Sequence, residues 1–152
     1  ITSRRNIRRA KSKKIYLSAP RIDAIKATSG SDVVTENTLK SDIFDVHVSS
    51  GADARIDVNA DTVNSSSSSG ADLRIKGTAN YFTAKATSGS SIRAYSLESK
   101  NATLKVNSGA DIDVYATESI NARASSGGDI DYKGNPKKVD KSKSSGGSIS
   151  SN

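Results

Sequence analysis

Aligned on a recurring Ser-Gly step, the chain alternates apolar and polar positions with period two on both sides of the step. Three residues after each Gly stand Val33, Ala54, Leu73, Ile92, Ile112, Ile130 and Ile149. Five residues after it stand Thr35, Ile56, Ile75, Ala94, Val114 and Tyr132, with Ser151 in the last unit. The position between them reads Val34, Arg55, Arg74, Arg93, Asp113, Asp131 and Ser150. Upstream, Ala27, Val48, Ser67, Ala86, Val106 and Ala124 lie three before Gly, and Ile25, Val46, Ser65, Ala84, Leu104 and Ala122 five before. Lys26, His47, Ser66, Lys85, Lys105 and Arg123, between those, are polar throughout. Period two marks a strand with one buried face. Each unit therefore reads as a strand, a Ser-Gly corner, a second strand and a polar turn such as Ala116-Thr117-Glu118-Ser119.

The corner glycines are Gly30, Gly51, Gly70, Gly89, Gly109, Gly127 and Gly146, spaced 21, 19, 19, 20, 18 and 19 residues apart. Seven hits at near-constant spacing define a coiled solenoid of about 19 residues per turn. No unit has a helical period or room for a crossover helix. Stacked identical units put like positions above one another, which predicts an all-β, parallel β-helix of six to seven coils. Six intervals at the strand spacing make a rod about 29 Å long. Gly suits the corners because tight turns often require positive φ. The run Asn64 to Ser69 resembles a flexible Ser linker, but its unit keeps the spacing. It is read as a thin rung with small residues facing in, and the weakest one, since Ser65 and Ser67 bury hydroxyls that need partners.

Composition narrows the function. A chain of 152 residues makes one domain, and the absence of Cys excludes disulfides, thiolate metal sites and a thiol nucleophile. The one His, His47, alternates outward with Lys26 and Lys85 and is read as a surface residue rather than a metal ligand or catalytic group. Only 34% of residues are hydrophobic and 5% aromatic, so no broad core is available outside a stacked one. No apolar run approaches a membrane span. The chain begins at Ile1 and has no Met, which points to processing or truncation, with any signal peptide or lipid anchor upstream of Ile1.

The formal net charge of +7 is a terminal property. Residues 1–21 hold Arg4, Arg5, Arg8, Arg9, Lys11, Lys13, Lys14 and Arg21 with no acid, and Lys137, Lys138, Lys141 and Lys143 cluster near the other end. Residues 1–21 are read as a basic segment with an incomplete first coil containing strand residues such as Ile15 and Leu17. Residues 22–152 are read as the repeat domain. Such charge attracts polyanions in general. With Tyr16 as its lone aromatic, the segment lacks the interleaved rings of a single-strand nucleic-acid site, and no nucleic-acid partner is expected.

The stretch Gly127-Gly128-Asp129-Ile130-Asp131-Tyr132-Lys133-Gly134-Asn135-Pro136 precedes a basic run and Ser145-Gly146-Gly147-Ser148-Ile149. With the earlier Tyr16-Leu17-Ser18-Ala19-Pro20-Arg21-Ile22, it resembles the putative auto-transporter adhesin, head GIN domain family. The resemblance covers nearly the whole chain. The family's corner rhythm is weakened at Ser91 and Ser148. The resemblance implies a right-handed β-helix in exported, envelope-associated proteins of Gram-negative bacteria, with further strands upstream and no catalytic motif or cofactor.

Three outward ladders are candidate sites. The corner carboxylates Asp32, Asp53, Asp72, Asp111 and Asp129 repel if stacked, which either a cation such as Ca²⁺ or Asx-type capping of corner N–H groups would relieve. Arg55, Arg74 and Arg93 on successive rungs either match carboxylates or sulfates on a glycan or form a solvated wall balanced by acids such as Asp57. Tyr95 and Tyr115 share one position on adjacent rungs, near Tyr81 and Phe82 in sequence. They read as a sugar or protein platform or as cross-rung stacking. A β-helix wall also offers a homo-oligomer interface. The favoured function is a non-enzymatic binding or structural module, because no insertion breaks the repeat where an active site would sit. The alternative is a β-helix polysaccharide lyase or glycoside hydrolase using Asp111, Asp113, Asp129 and Asp131. An ice-binding face would need a single Thr ladder, which Thr62, Thr78, Thr83, Thr87, Thr103 and Thr117 do not make.

Overall fold

The computed structural model describes residues 13–152. Arg4, Arg5, Arg8, Arg9 and Lys11 of the basic segment lie outside the described residues. From Lys13 to Asp23 the chain forms no strand, and Ile15, Tyr16 and Leu17 are exposed, contrary to the expected strand there. Ten strands follow: β1 (Ala24–Ala27), β2 (Asp32–Val34), β3 (Leu39–Ser49), β4 (Asp53–Ser68), β5 (Asp72–Thr87), β6 (Ser91–Asn107), β7 (Asp111–Ala124), β8 (Asp129–Lys133), β9 (Lys138–Lys143) and β10 (Ser148–Ser151). Every pairing is parallel, and the path runs β1-β3-β4-β5-β6-β7-β8-β10, with β2 on β4 and β9 on β7. The described residues contain no helix. The result is a β-solenoid of about seven turns.

Register confirms the columns. Ala54 pairs with Leu73, Leu73 with Ile92, Ile92 with Ile112, and Ile112 with Ile130. These side chains, with the columns of Val46 and Val48, form one continuous buried core along the axis. A further column, Phe44, Val63, Phe82, Ala102 and Ile120, also faces inward and is almost fully buried. The polar turn expected at Ala116–Ser119 does not end the strand. It lies within the bounds of β7, but the register slips there: Ala116 pairs with Ser99 and Ser119 with Asn101, and Thr117 and Glu118 have no register partner on β6.

The corner is a two-residue left-handed step. Each Ser before a corner Gly also has positive φ, between 49° and 58°, beside glycines at 65° to 77°. The backbone turn is locked between rungs: Gly30 N–H donates to the Ser50 carbonyl at 3.1 Å, Gly51 to Ser69 at 3.1 Å and Gly70 to Ser88 at 3.2 Å. A stacked corner thus satisfies groups that an isolated turn would leave to water.

The Ser-rich rung is part of β4. Ser65 and Ser67 are buried, and both find acceptors: Ser65 Oγ donates to the Thr83 carbonyl at 3.2 Å and Ser67 Oγ to the Ala71 carbonyl at 2.9 Å. The second basic cluster is placed less simply than its sequence implied. Lys141 and Lys143 stand in register with Ala122 and Ala124, in columns that are apolar or small elsewhere.

Candidate functional site

Arg55, Arg74 and Arg93 stack on three successive strands, Arg55 against Arg74 and Arg74 against Arg93. Alternation sends all three outward, while their neighbours Ile56 and Ile75 face the core. They line a groove of about 420 Å³ with Val34, Asp57, Lys76 and Tyr95. Arg93 Nη1 lies 3.4 Å from Asp72 Oδ1, and Lys76 Nζ lies 3.1 Å from Asp57 Oδ2. Asp57 therefore balances Lys76 rather than the arginines, and a corner carboxylate balances Arg93. Among the described residues Arg55 and Arg74 have no ion pair, so two guanidinium forks remain open to an anion.

Above Arg93 the column changes sign to Asp113 and Asp131. Partial burial pushes the Asp113 carboxyl above its ordinary range, the Asp131 charge adds to this, and Arg93 opposes it. Asp111 shifts the same way, through burial first and then Asp129. These four carboxylates simply continue two ladders of the repeat. They form no separate constellation.

Tyr95 and Tyr115 do not pair across rungs. Register slips between Ala94 and Glu98, so Tyr115 pairs with Glu98, and Tyr95, Ser96 and Leu97 have no register partner on β7, while Leu97 is buried in the core. The two rings meet instead through Lys133, whose Nζ lies 5.4 Å from the Tyr95 centroid and 5.0 Å from that of Tyr115. Both distances fall within cation–π range. Asn152 Nδ2 donates to the Tyr95 hydroxyl at 3.0 Å. Burial raises the Tyr95 phenol pKa above its ordinary value. Tyr95 borders the Arg groove, whereas Tyr115 does not line it. Tyr81 is exposed and pairs with Thr62 and Asn101, away from the groove, while Phe82 is buried.

The corner ladder runs Asp32, Asp53, Asp72, Ser91, Asp111, Asp129 and Ser148, each in register with the next. Corner N–H capping by side chains comes from Ser oxygens: Thr28 N–H donates to Ser31 Oγ and Thr87 N–H to Ser90 Oγ. Among the described residues no three His, Cys, Asp or Glu side chains come together to hold a metal ion. His47 Nδ1 is 2.6 Å from Ser66 Oγ on the next rung.

The family model described as putative auto-transporter adhesin, head GIN domain, matches residues 1–136. The chain belongs to this family. No curated protein matches it. Among solved structures it is similar to the crystal structure of a putative adhesin from Bacteroides fragilis, 27% identical with a TM-score of 0.82. The match covers 88% of this chain and 62% of that one, so the chain spans less than two thirds of its structural relative.

Within this GIN-family coil, sequence patterning found the Arg column but missed Lys76 and Lys133. Lys76 follows an inward residue on the strand carrying Arg74, and simple alternation from Arg74 would have placed it outward. The encounter of Lys133 with two rings depends on the slip in β6, which no spacing count resolves. Gly77 carries no repeat signal, and Gly134 enters only through the stretch that carries the family resemblance. Each has positive φ and sits against a carbonyl of the neighbouring coil, Val58 O and Ala116 O respectively.

Proposed function

We propose that this adhesin-like domain is a non-enzymatic, exported binding module whose groove takes an acidic sugar unit. The carrying observation is the meeting of Arg55, Arg74, Arg93 and Tyr95 in one groove, with two of the guanidinium groups free of acid partners. A guanidinium fork matches a carboxylate or sulfate bidentately, and Tyr95 supplies an apolar wall for a ring. Membership of an adhesin-like family supports a role at the cell surface. Among the described residues no helix is long and apolar enough to cross a membrane.

The test is calorimetric titration with monomeric galacturonate and with neutral galactose. Wild type binds the acidic form selectively, and Arg74→Ser weakens it by about tenfold, the equivalent of one charge-assisted hydrogen bond of about 1.4 kcal/mol. Equal affinity for both sugars, or an Arg74→Ser variant that binds as wild type does, removes the groove from the account.

A further inference from the structure

A second wall carries charge that the groove does not use. Lys85, Lys105 and Arg123 stack in register on β5, β6 and β7, four residues before their corner glycines. All three are exposed. None has an ion pair among the described residues. Ser66 on β4 interrupts the column, and His47 and Lys26 continue it beyond toward β1.

The flanking outward positions explain why the charge is uncompensated. On one side stand Thr83, Thr103 and Asn121, and on the other Thr87, Asn107 and Ser125. The patch is therefore three cations in a line, bordered on both edges by hydroxyls and amides, with no carboxylate in these three rungs of this wall; Asp140 stands one rung beyond, beside Asn121. Directly stacked like charges cost stability. On other parts of the surface Arg93 has Asp72 beside it, Lys76 has Asp57 and Arg21 has Asp23, whereas Arg55 and Arg74 in the groove, like this strip, have no acid partner among the described residues. Here the field is left open, and an open positive strip concentrates anions along its length.

We infer that this wall binds an extended acidic polysaccharide lying along the solenoid axis. A polymer fits because the wall is a sheet face with cations repeating at the strand spacing, about 4.8 Å. The advance per sugar of a 1,4-linked uronate chain is of the same order, so carboxylates spaced along the polymer reach cations on more than one rung. The Thr and Asn borders offer donors and acceptors to ring hydroxyls. Nucleic acid fits less well, since the strip has no aromatic side chain on which a base would stack. This inference does not depend on the groove: the two sites lie on opposite sides of the Ser-Gly corner.

The experiment measures binding of the full chain to immobilised polygalacturonate at low salt, with neutral dextran and a DNA duplex as comparison surfaces. Wild type prefers polygalacturonate. The triple variant Lys85→Thr, Lys105→Thr, Arg123→Thr loses about tenfold or more in affinity and shows a flatter salt dependence. It keeps the wild-type melting temperature, since Thr suits exposed strand positions and like-charge stacking is relieved. A Lys85→Arg, Lys105→Arg variant retains binding. The groove variant Arg55→Ser, Arg74→Ser keeps polymer affinity within about twofold, short of the tenfold step that marks a lost charged contact. The inference is overturned if the folded triple variant binds as wild type does, if the duplex is held more tightly than polygalacturonate, or if dextran is held equally. Loss of polymer binding in the groove variant alone would also overturn it, while leaving the groove reading intact.

Discussion

A glycine at a corner and a glycine inside a strand do different physical work in this chain. Gly70 has φ of +68° and open space where a Cβ would be built, so its requirement is conformational alone. Its neighbour Ser69 holds φ of 56° with a side chain in place, which shows that the left-handed step tolerates a Cβ at a cost. That cost is about 1–2 kcal/mol per residue. Gly77 has φ of +120°, and an added Cβ would stand 1.9 Å from the Val58 carbonyl oxygen. The obstacle there is backbone of the adjacent coil, which cannot rotate aside. We predict that Gly70→Ala destabilises by about 1–2 kcal/mol and that Gly77→Ala costs more, on the order of 3 kcal/mol or above. Urea unfolding of both variants checks this, and equal midpoints would refute the distinction. The repeat makes Gly70 visible from sequence because six other corners share its frame. Gly77 has no such chorus, and only the stacked coil reveals the carbonyl it must clear.

At the scale of one rung, hydroxyls replace methyls without leaving unpaired polar groups. Ser67 Oγ donates to the Ala71 carbonyl, which also accepts the Ser91 N–H at 3.0 Å. Removing the hydroxyl therefore leaves no orphaned acceptor, and a hydrogen bond whose remaining partner stays satisfied contributes little net stability. We predict that Ser67→Ala changes unfolding free energy by less than about 1 kcal/mol in either direction. Thermal unfolding checks it, and a drop of more than about 4 °C would contradict it for a chain of this size. The rung's place in the solenoid was legible from its spacing alone, against a composition that looks like a linker. Its internal bonds were not, because the acceptors Thr83 and Ala71 belong to the next coil and to the corner. The same limit applies to β6. Its interval of 20 residues signals one extra residue somewhere. Only the ladder shows that the slip sets Tyr115 opposite Glu98 and pulls Leu97 inside, dissolving the expected Tyr95–Tyr115 stack. Alternation predicts which way a side chain points only while the pleat stays unbroken.

The whole molecule is a single column of core built from contacts between neighbouring turns, so what interrupts that column matters as much as what extends it. Along most of its length the column five before Gly is apolar or small, Val46, Ser65, Ala84, Leu104 and Ala122, and the one three before Gly is Val48, Ser67, Ala86, Val106 and Ala124. In β9 these two columns become Lys141 and Lys143. From sequence the pair reads as part of a basic run, and its charge alone gives no reason to place it over a core. The structure puts the Lys141 ammonium 4.6 Å from the centroid of Tyr132, a ring of the inward column on the opposite wall. The lysine stem thus covers apolar surface while its head is held by a π face and by water. Among the described residues β9 hydrogen-bonds along one edge only, to β7. A parallel edge with apolar columns behind it is a template for another copy's edge, and inward lysines are a standard way of blocking such pairing. We predict that Lys141→Leu with Lys143→Val restores the apolar columns and drives concentration-dependent self-association. In sedimentation velocity the wild-type chain keeps one sedimentation coefficient over a range of concentrations in which the double variant shifts to larger species. Control substitutions Lys137→Ser and Lys138→Ser remove the same net charge outside these two columns and should leave the sedimentation unchanged. If the controls associate as strongly, net charge rather than the inward placement of Lys141 and Lys143 keeps the edges apart.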